Sequence, residues 1–167
     1  MRNFVRIATL AATAALATSA NAASVSVDKT VTAKAVIQKP LALIKVADLD
    51  MGTISVQDTG DAILTAAGAI TCNGGLTCSG TVSPATYKVT GTNNQSVTIT
   101  KPAVTLTNLD PTQGGTPLTL NLTGPASVTL PNSGSSGTNF SLGGTMTVPA
   151  STKEGTYQGD LAVTVNY

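Results

Sequence analysis

Apolar residues fall on every second position in one segment after another: Val97 and Ile99; Leu118, Leu120 and Leu122; Val128 and Leu130. Side chains that alternate in this way stand on opposite faces of an extended backbone, so each segment reads as a half-buried β-strand. Turn-forming stretches separate them: Asn73-Gly74-Gly75, Gly91-Thr92-Asn93-Asn94, Asp110-Pro111-Thr112-Gln113-Gly114-Gly115 and Pro131-Asn132-Ser133-Gly134-Ser135-Ser136-Gly137. Each supplies the positive-φ or preset-φ residues that tight reversals need. No window of helical length after residue 22 carries apolar residues at three- and four-residue spacing. The expectation is an all-β chain whose many short strands close into a β-sandwich or barrel.

The first residues have a different character. Arg2 and Arg6 precede an apolar run from Ile7 to Ala17, which is followed by Thr18, Ser19 and the small-residue tripeptide Ala20-Asn21-Ala22. That order is a secretory signal peptide, expected to span 1–22. Its apolar run falls well short of the ~20 residues needed to cross a bilayer as a helix, and no later segment is longer and as apolar, so no membrane span is expected. Without the leader, seven lysines face eight carboxylates, a net charge of one negative. A chain so nearly neutral offers nothing to attract nucleic acid or an anionic membrane. Charged residues are only 10% of the sequence. Disorder would require low hydropathy with high net charge, whereas mean hydropathy here is +0.22, so the chain is read as folded.

The final segment is the cleanest strand. From Gly159 to Tyr167, Leu161, Val163, Val165 and Tyr167 share one face, while Asp160, Ala162, Thr164 and Asn166 share the other. A one-residue slip would turn the whole apolar set to solvent, so the register is expected to be firm and the chain end to be core. The segment after the leader is extended too: Val25, Val27, Val31, Ala33, Ala35 and Ile37 have one parity, interrupted by Lys29. It has one apolar face, and spacing alone leaves open whether it is an ordinary first strand or pairs elsewhere.

Chemistry is scarce. The chain has no histidine, which removes Ser-His-Asp and Cys-His catalysis together with imidazole zinc sites. Cys72 and Cys78 are the only thiols; in an exported protein they are read as a disulfide closing a small loop or hairpin, contributing roughly 2 kcal/mol for so short a loop. Asp48 and Asp50 lie two apart on an extended segment, and Asp58 and Asp61 form a second close pair. Such pairs suit a glycosidase or a calcium site, yet few other carboxylates are at hand to complete one, and they read as surface and turn groups. No serine lies in a Gly-x-Ser-x-Gly or Ser-x-x-Lys motif. No catalytic residue, metal site or cofactor is expected.

Two stretches carry a resemblance. Pro40-Leu41-Ala42-Leu43-Ile44 with Asp48-Leu49-Asp50-Met51-Gly52-Thr53-Ile54 resembles the opening of a class of short exported bacterial domains of unknown function. Phe140-Ser141-Leu142-Gly143-Gly144-Thr145-Met146-Thr147-Val148-Pro149, with the segment from Gly155 to Tyr167, resembles its close. The ending Gly155-Thr156-Tyr157-Gln158-Gly159, an alternating strand and a terminal Tyr167 is also similar to subunits of chaperone-usher pili and to spore coat U type domains. The resemblance implies an immunoglobulin-like β-sandwich lacking one strand, which a donor strand completes by β-augmentation. It implies Val25, Val27, Val31, Ala33 and Ala35 as the inserting face of the donor, and Leu161, Val163 and Val165 as lining of the acceptor core. Met51 stands where the family pattern has an aromatic residue.

The expected organisation is therefore a signal peptide (1–22), an extended segment and candidate donor strand (23–39), and a sandwich domain (40–167). The expected function is that of a structural fimbrial or pilus subunit serving adhesion or biofilm formation, exported through the periplasm to a surface fibre. Its expected partners are other copies of itself or related pilus subunits, a periplasmic chaperone and an outer-membrane usher. Two rivals stand beside it: a complete secreted binding module for carbohydrate or another surface ligand, and a carboxylate- or metal-dependent enzyme. Aromatic residues that would make a sugar platform are few, and after removal of the leader only Tyr87, Phe140, Tyr157 and Tyr167 remain.

Overall fold

The computed structural model describes residues 31–167, so the expected signal peptide and Val25 and Val27 lie outside the described residues. All strands among the described residues belong to one compact unit, Ile37–Tyr167. The first half holds β1 (Ala42–Ala47), β2 (Thr53–Val56), β3 (Gly60–Leu64), β4 (Ile70–Cys72), β5 (Leu76–Ser79) and β6 (Ala85–Thr90). Then come β7 (Ser96–Thr100), β8 (Val104–Asn108), β9 (Leu118–Thr123) and β10 (Ser127–Thr129). The chain closes with β11 (Thr138–Val148), β12 (Tyr157–Gln158) and β13 (Thr164–Asn166). There is no helix among the described residues. Every pairing is antiparallel. The all-β sandwich expected from the alternation is the fold of the chain.

One large sheet runs β1-β6-β11-β9-β8-β12, with β3 and β4 joined at β11; the facing layer consists of β10-β7-β13 and the separate pair β2-β5. The eleven residues of β11 are the spine. One of its edges takes β6 along Thr138 to Leu142 and then β3 along Gly144 to Val148, while the other takes β9 along Gly143 to Met146. The change of partner falls at Gly143-Gly144 because neither position has room for a side chain. A Cβ on Gly144 would stand 2.6 Å from Leu120 Cδ1, and one on Gly143 would overlap the backbone at Leu64 and Thr65.

The two ends of β11 build two cores. Phe140 and Leu142 enter one with Ala85, Tyr87, Val89, Val97, Ile99 and Leu130; Met146 and Val148 enter the other with Met51, Leu64, Leu76, Val104, Leu118 and Leu120. Met51 is buried, so at the position where an aromatic residue was expected a flexible thioether fills the space. Leu49, Leu122 and Leu161 touch both cores and join them. The Tyr87 and Phe140 rings stack in the first core at a centroid distance of 5.6 Å. Burial, with the charge of Asp48 adding to it, pushes the Tyr87 phenol above its ordinary pKa.

The C-terminal segment departs from the single strand that its alternation predicts. It is β12 paired to β8 in the large sheet and β13 paired to β7 in the facing layer, and Gly159 to Val163 between them carry no strand. The physical reason is a change of sheet: one extended stretch leaves one layer and joins the other, so its middle pairs with neither. Leu161, Val163 and Val165 do turn inward and pack on the cores. Tyr167 does not share their surroundings and is 41% exposed.

Candidate functional site

Below the first core the facing layer is incomplete. β2 pairs with β5 along one edge, Thr53↔Ser79 to Val56↔Leu76, and among the described residues its other edge has no strand beside it. Across a gap lies the stretch from Gly155 through Gly159 to Leu161. Between these walls opens a groove of about 740 Å³. Its floor is the inner face of the large sheet: Leu106 of β8, Leu118 and Leu120 of β9, and Met146 and Val148 of β11. The near wall contributes Met51, Ile54 and Val56, and the far wall Tyr157 and Leu161. The groove reaches down to the second core, whose residues at the floor, Leu118, Leu120, Met146 and Val148, are themselves buried. Among the described residues β2 is paired on one edge only, and on the far side Gly159 and Leu161, which line the groove, lie in a stretch that carries no strand.

The walls are held from outside. The Tyr157 hydroxyl donates to the Lys153 carbonyl at 3.0 Å, Asn108 Nδ2 donates to the Glu154 carbonyl at 2.9 Å, and the Leu109 N–H donates to the Thr156 carbonyl at 2.8 Å. These bonds fasten the loop before β12 to the end of β8. The near wall begins at Gly52, whose φ of 70° makes the turn into β2 and whose N–H is taken by the Asp50 carboxylate at 2.8 Å.

Cys72 and Cys78 form the expected disulfide, with Cα atoms 5.8 Å apart. It does not close a hairpin. β3 pairs β4 and β2 pairs β5, so β2 and β3 form one arm of a long hairpin while β4 and β5 form the other. The bridge joins two points of the same arm, across its bend.

The remaining candidates are scattered. Val31, Ala33 and Ala35 are exposed and carry no strand, with Val31 at 89%. Asp48 pairs with Lys45 at 2.8 Å, and that hydrogen bond together with the carboxylate's charge holds the ammonium above its ordinary pKa. Asp50 caps Gly52, the Asp58 carboxylate accepts from the Thr59 N–H, Asp61 accepts from the Thr147 hydroxyl, and Asp110 caps Thr112. Each carboxylate is engaged in its own turn or pair, and among the described residues no three His, Cys, Asp or Glu side chains gather where a metal ion would sit. Of the four aromatic rings, Tyr87 and Phe140 are buried.

Sequence reasoning missed the floor and the near wall. The absence of a strand leaves no mark on the strands around it. The far wall did carry a signal, since Gly155-Thr156-Tyr157-Gln158-Gly159 is the motif on which the resemblance rests.

The class defined here is an all-β sandwich with a groove above its second core. The chain belongs to the family described as Domain of unknown function (DUF4402), whose model matches residues 41–167. No curated protein and no solved structure matches it.

Proposed function

We propose that this chain is a structural subunit of a bacterial surface fimbria, exported through the periplasm and assembled when an extended segment of one copy fills the groove of the next. It acts without catalysis. The observation that carries the reading is the groove: an apolar floor that belongs to the second core, and a β2 edge with no strand beside it among the described residues. An inserted strand gains hydrogen bonds along the β2 edge and covers apolar side chains, at about 25 cal/mol for each Å² of apolar surface removed from water.

The layout of the sandwich supports transfer between copies. Leu43, Val89 and Thr138 lie in one row across β1, β6 and β11, close to where the chain joins the sandwich. β1 and β11, both antiparallel to β6, run in the same direction, and β11 continues from Thr138 to Val148 at the groove. At about 3.3 Å per residue the groove's far end is roughly 30 Å from that row. Donor root and acceptor slot thus lie at opposite ends, which is the layout of a heterologous, head-to-tail contact that builds filaments. The segment before the sandwich, with Val25, Val27, Val31, Ala33 and Ala35 as its apolar face, is the donor in this reading, and a periplasmic chaperone and an outer-membrane usher are its partners in export.

The test is assembly. Deleting residues 24–36, or placing a charge at the centre of the donor face with Val31→Asp, leaves a domain that folds and does not polymerise, since an unpaired carboxylate in a dry groove costs several kcal/mol. Size-exclusion chromatography and electron microscopy read the outcome. A wild-type monomer that stays soluble at high concentration, with this segment paired in its own sheet, would overturn the reading in favour of a complete secreted binding module.

A further inference from the structure

The near wall of the groove is a structural island. β2 and β5 pair only with each other and join neither the large sheet nor the β10-β7-β13 layer. They are tied at one end through the hairpin's inner part, β3-β4, which is anchored on β11, and at the other by the Asp50–Ser83 bridge, with backbone hydrogen bonds of 2.8 and 2.9 Å. Between the inner and outer parts the hairpin bends sharply. Six residues of extended strand span about 20 Å, yet Cys72 and Cys78, six positions apart, have Cα atoms 5.8 Å apart.

Backbone hydrogen bonds also brace the bend. The N–H groups of Gln57 and Asp58 donate to the Gly75 carbonyl at 2.8 and 3.2 Å, and the Asn73 N–H donates to the Asp61 carbonyl at 2.9 Å. The arms meet backbone to backbone at Gly60, Gly74 and Gly75, where an added Cβ would stand 2.1, 2.6 and 2.3 Å from the facing chain. The disulfide is the one covalent clamp on this elbow.

We infer that the Cys72–Cys78 bridge is a positioning device for the groove: it holds β2, with Met51, Ile54 and Val56, at the angle that keeps the groove above Leu118, Leu120 and Met146 open. A wall fixed in advance need not be ordered when the strand arrives, so its affinity for the strand is higher. Breaking the bridge frees the outer hairpin to swing or to collapse onto the floor while the large sheet and the first core remain. Competence to accept a strand is thereby tied to an oxidising compartment. This inference rests on the reading of the groove as a strand acceptor.

The test uses a fluorescent peptide of residues 24–37 as probe and fluorescence anisotropy as readout, on the oxidised chain and on its Cys72→Ser/Cys78→Ser variant. The expected result is that the oxidised chain binds and that the variant binds at least tenfold more weakly. Equal binding, within twofold, overturns the positioning role and leaves the acceptor reading standing, whereas an oxidised chain that ignores the peptide overturns the acceptor reading itself. Hydrogen exchange on the wild-type chain, with and without reductant, tests the clamp without any ligand or variant. Reduction is expected to strip protection from β2 and β5 at least tenfold while β6, β9 and β11 keep theirs. Uniform loss, or no loss, in those strands overturns the inference.

Discussion

Tyr167 donates its phenolic hydrogen to the carbonyl of Lys39, 128 positions earlier in the chain. The same oxygen accepts the N–H of Thr92 at 2.7 Å and lies 3.0 Å from the Thr92 hydroxyl, which in turn takes the Lys39 N–H at 2.7 Å. A phenol has one hydrogen to give. With that hydrogen on Lys39, the Thr92 hydroxyl is the donor toward Tyr167, and the three residues close a ring of hydrogen bonds where the chain joins the sandwich.

Removing that hydroxyl loosens the clasp. Tyr167→Phe is expected to cost about 1–2 kcal/mol, the net worth of a pair of partly exposed hydrogen bonds, measured by urea denaturation. Gly91→Ala is expected to strike the same place, because the new Cβ would stand 2.5 Å from the Tyr167 oxygen and 2.8 Å from Leu41 Cδ2. The two changes should be less than additive, as for any pair of residues in contact.

Core and surface leucines should separate cleanly. Leu120, on β9 beside β11, is 1% exposed, and Leu120→Ala is expected to cost about 2–5 kcal/mol. Leu109, 55% exposed, is expected to change stability by no more than about 0.5 kcal/mol when cut to alanine. Thermal melts of the two variants check the contrast.

In the purified protein the tryptic peptide that holds both Cys72 and Cys78 should be two hydrogens lighter before reduction than after it. Cys72→Ala/Cys78→Ala should cost only about 2 kcal/mol and leave the far-ultraviolet circular dichroism of a β protein. Loss of the whole fold would assign the bridge a larger share of the stability than so short a loop allows.

Asp110 gives a pH-dependent signature. The hydroxyl of Thr112, followed by its N–H, donates to the Asp110 carboxylate and holds its pKa below the ordinary value. A depressed carboxylate pKa contributes stability above the unfolded value and loses it as the pH falls through the folded one. The carboxyl carbon of Asp110 should therefore titrate by NMR below 3.8, and Thr112→Ala should move the midpoint upward.

The sequence made the strands legible wherever one face is wet and the other dry. In β7, Val97 and Ile99 are buried while Ser96, Thr98 and Thr100 are exposed, and a period of two reports this directly. The C-terminal alternation found the inward residues Leu161, Val163 and Val165 but not the change of sheet between them, because alternation fixes a face and not a partner. The spine role of β11 was hidden for the same reason: its choice of β6, β3 and β9 belongs to positions far away in the chain. The bridge was legible from the thiol count and the leader-like opening of the sequence, whereas the elbow it spans depends on which strands pair.

The spine also sets an order in time. β11 is made after every strand it holds, and its rungs join residues as far apart as Thr145 and Ile63, or Phe140 and Tyr87. Contacts so remote in sequence form slowly, since a long loop must close before any of them is rewarded. Until β11 arrives, β3, β6 and β9 wait side by side with bare edges, in a state open to wrong pairing with neighbouring chains. The fold's most exposed moment is therefore its own synthesis, and a companion that shields strand edges would serve it before any assembly begins.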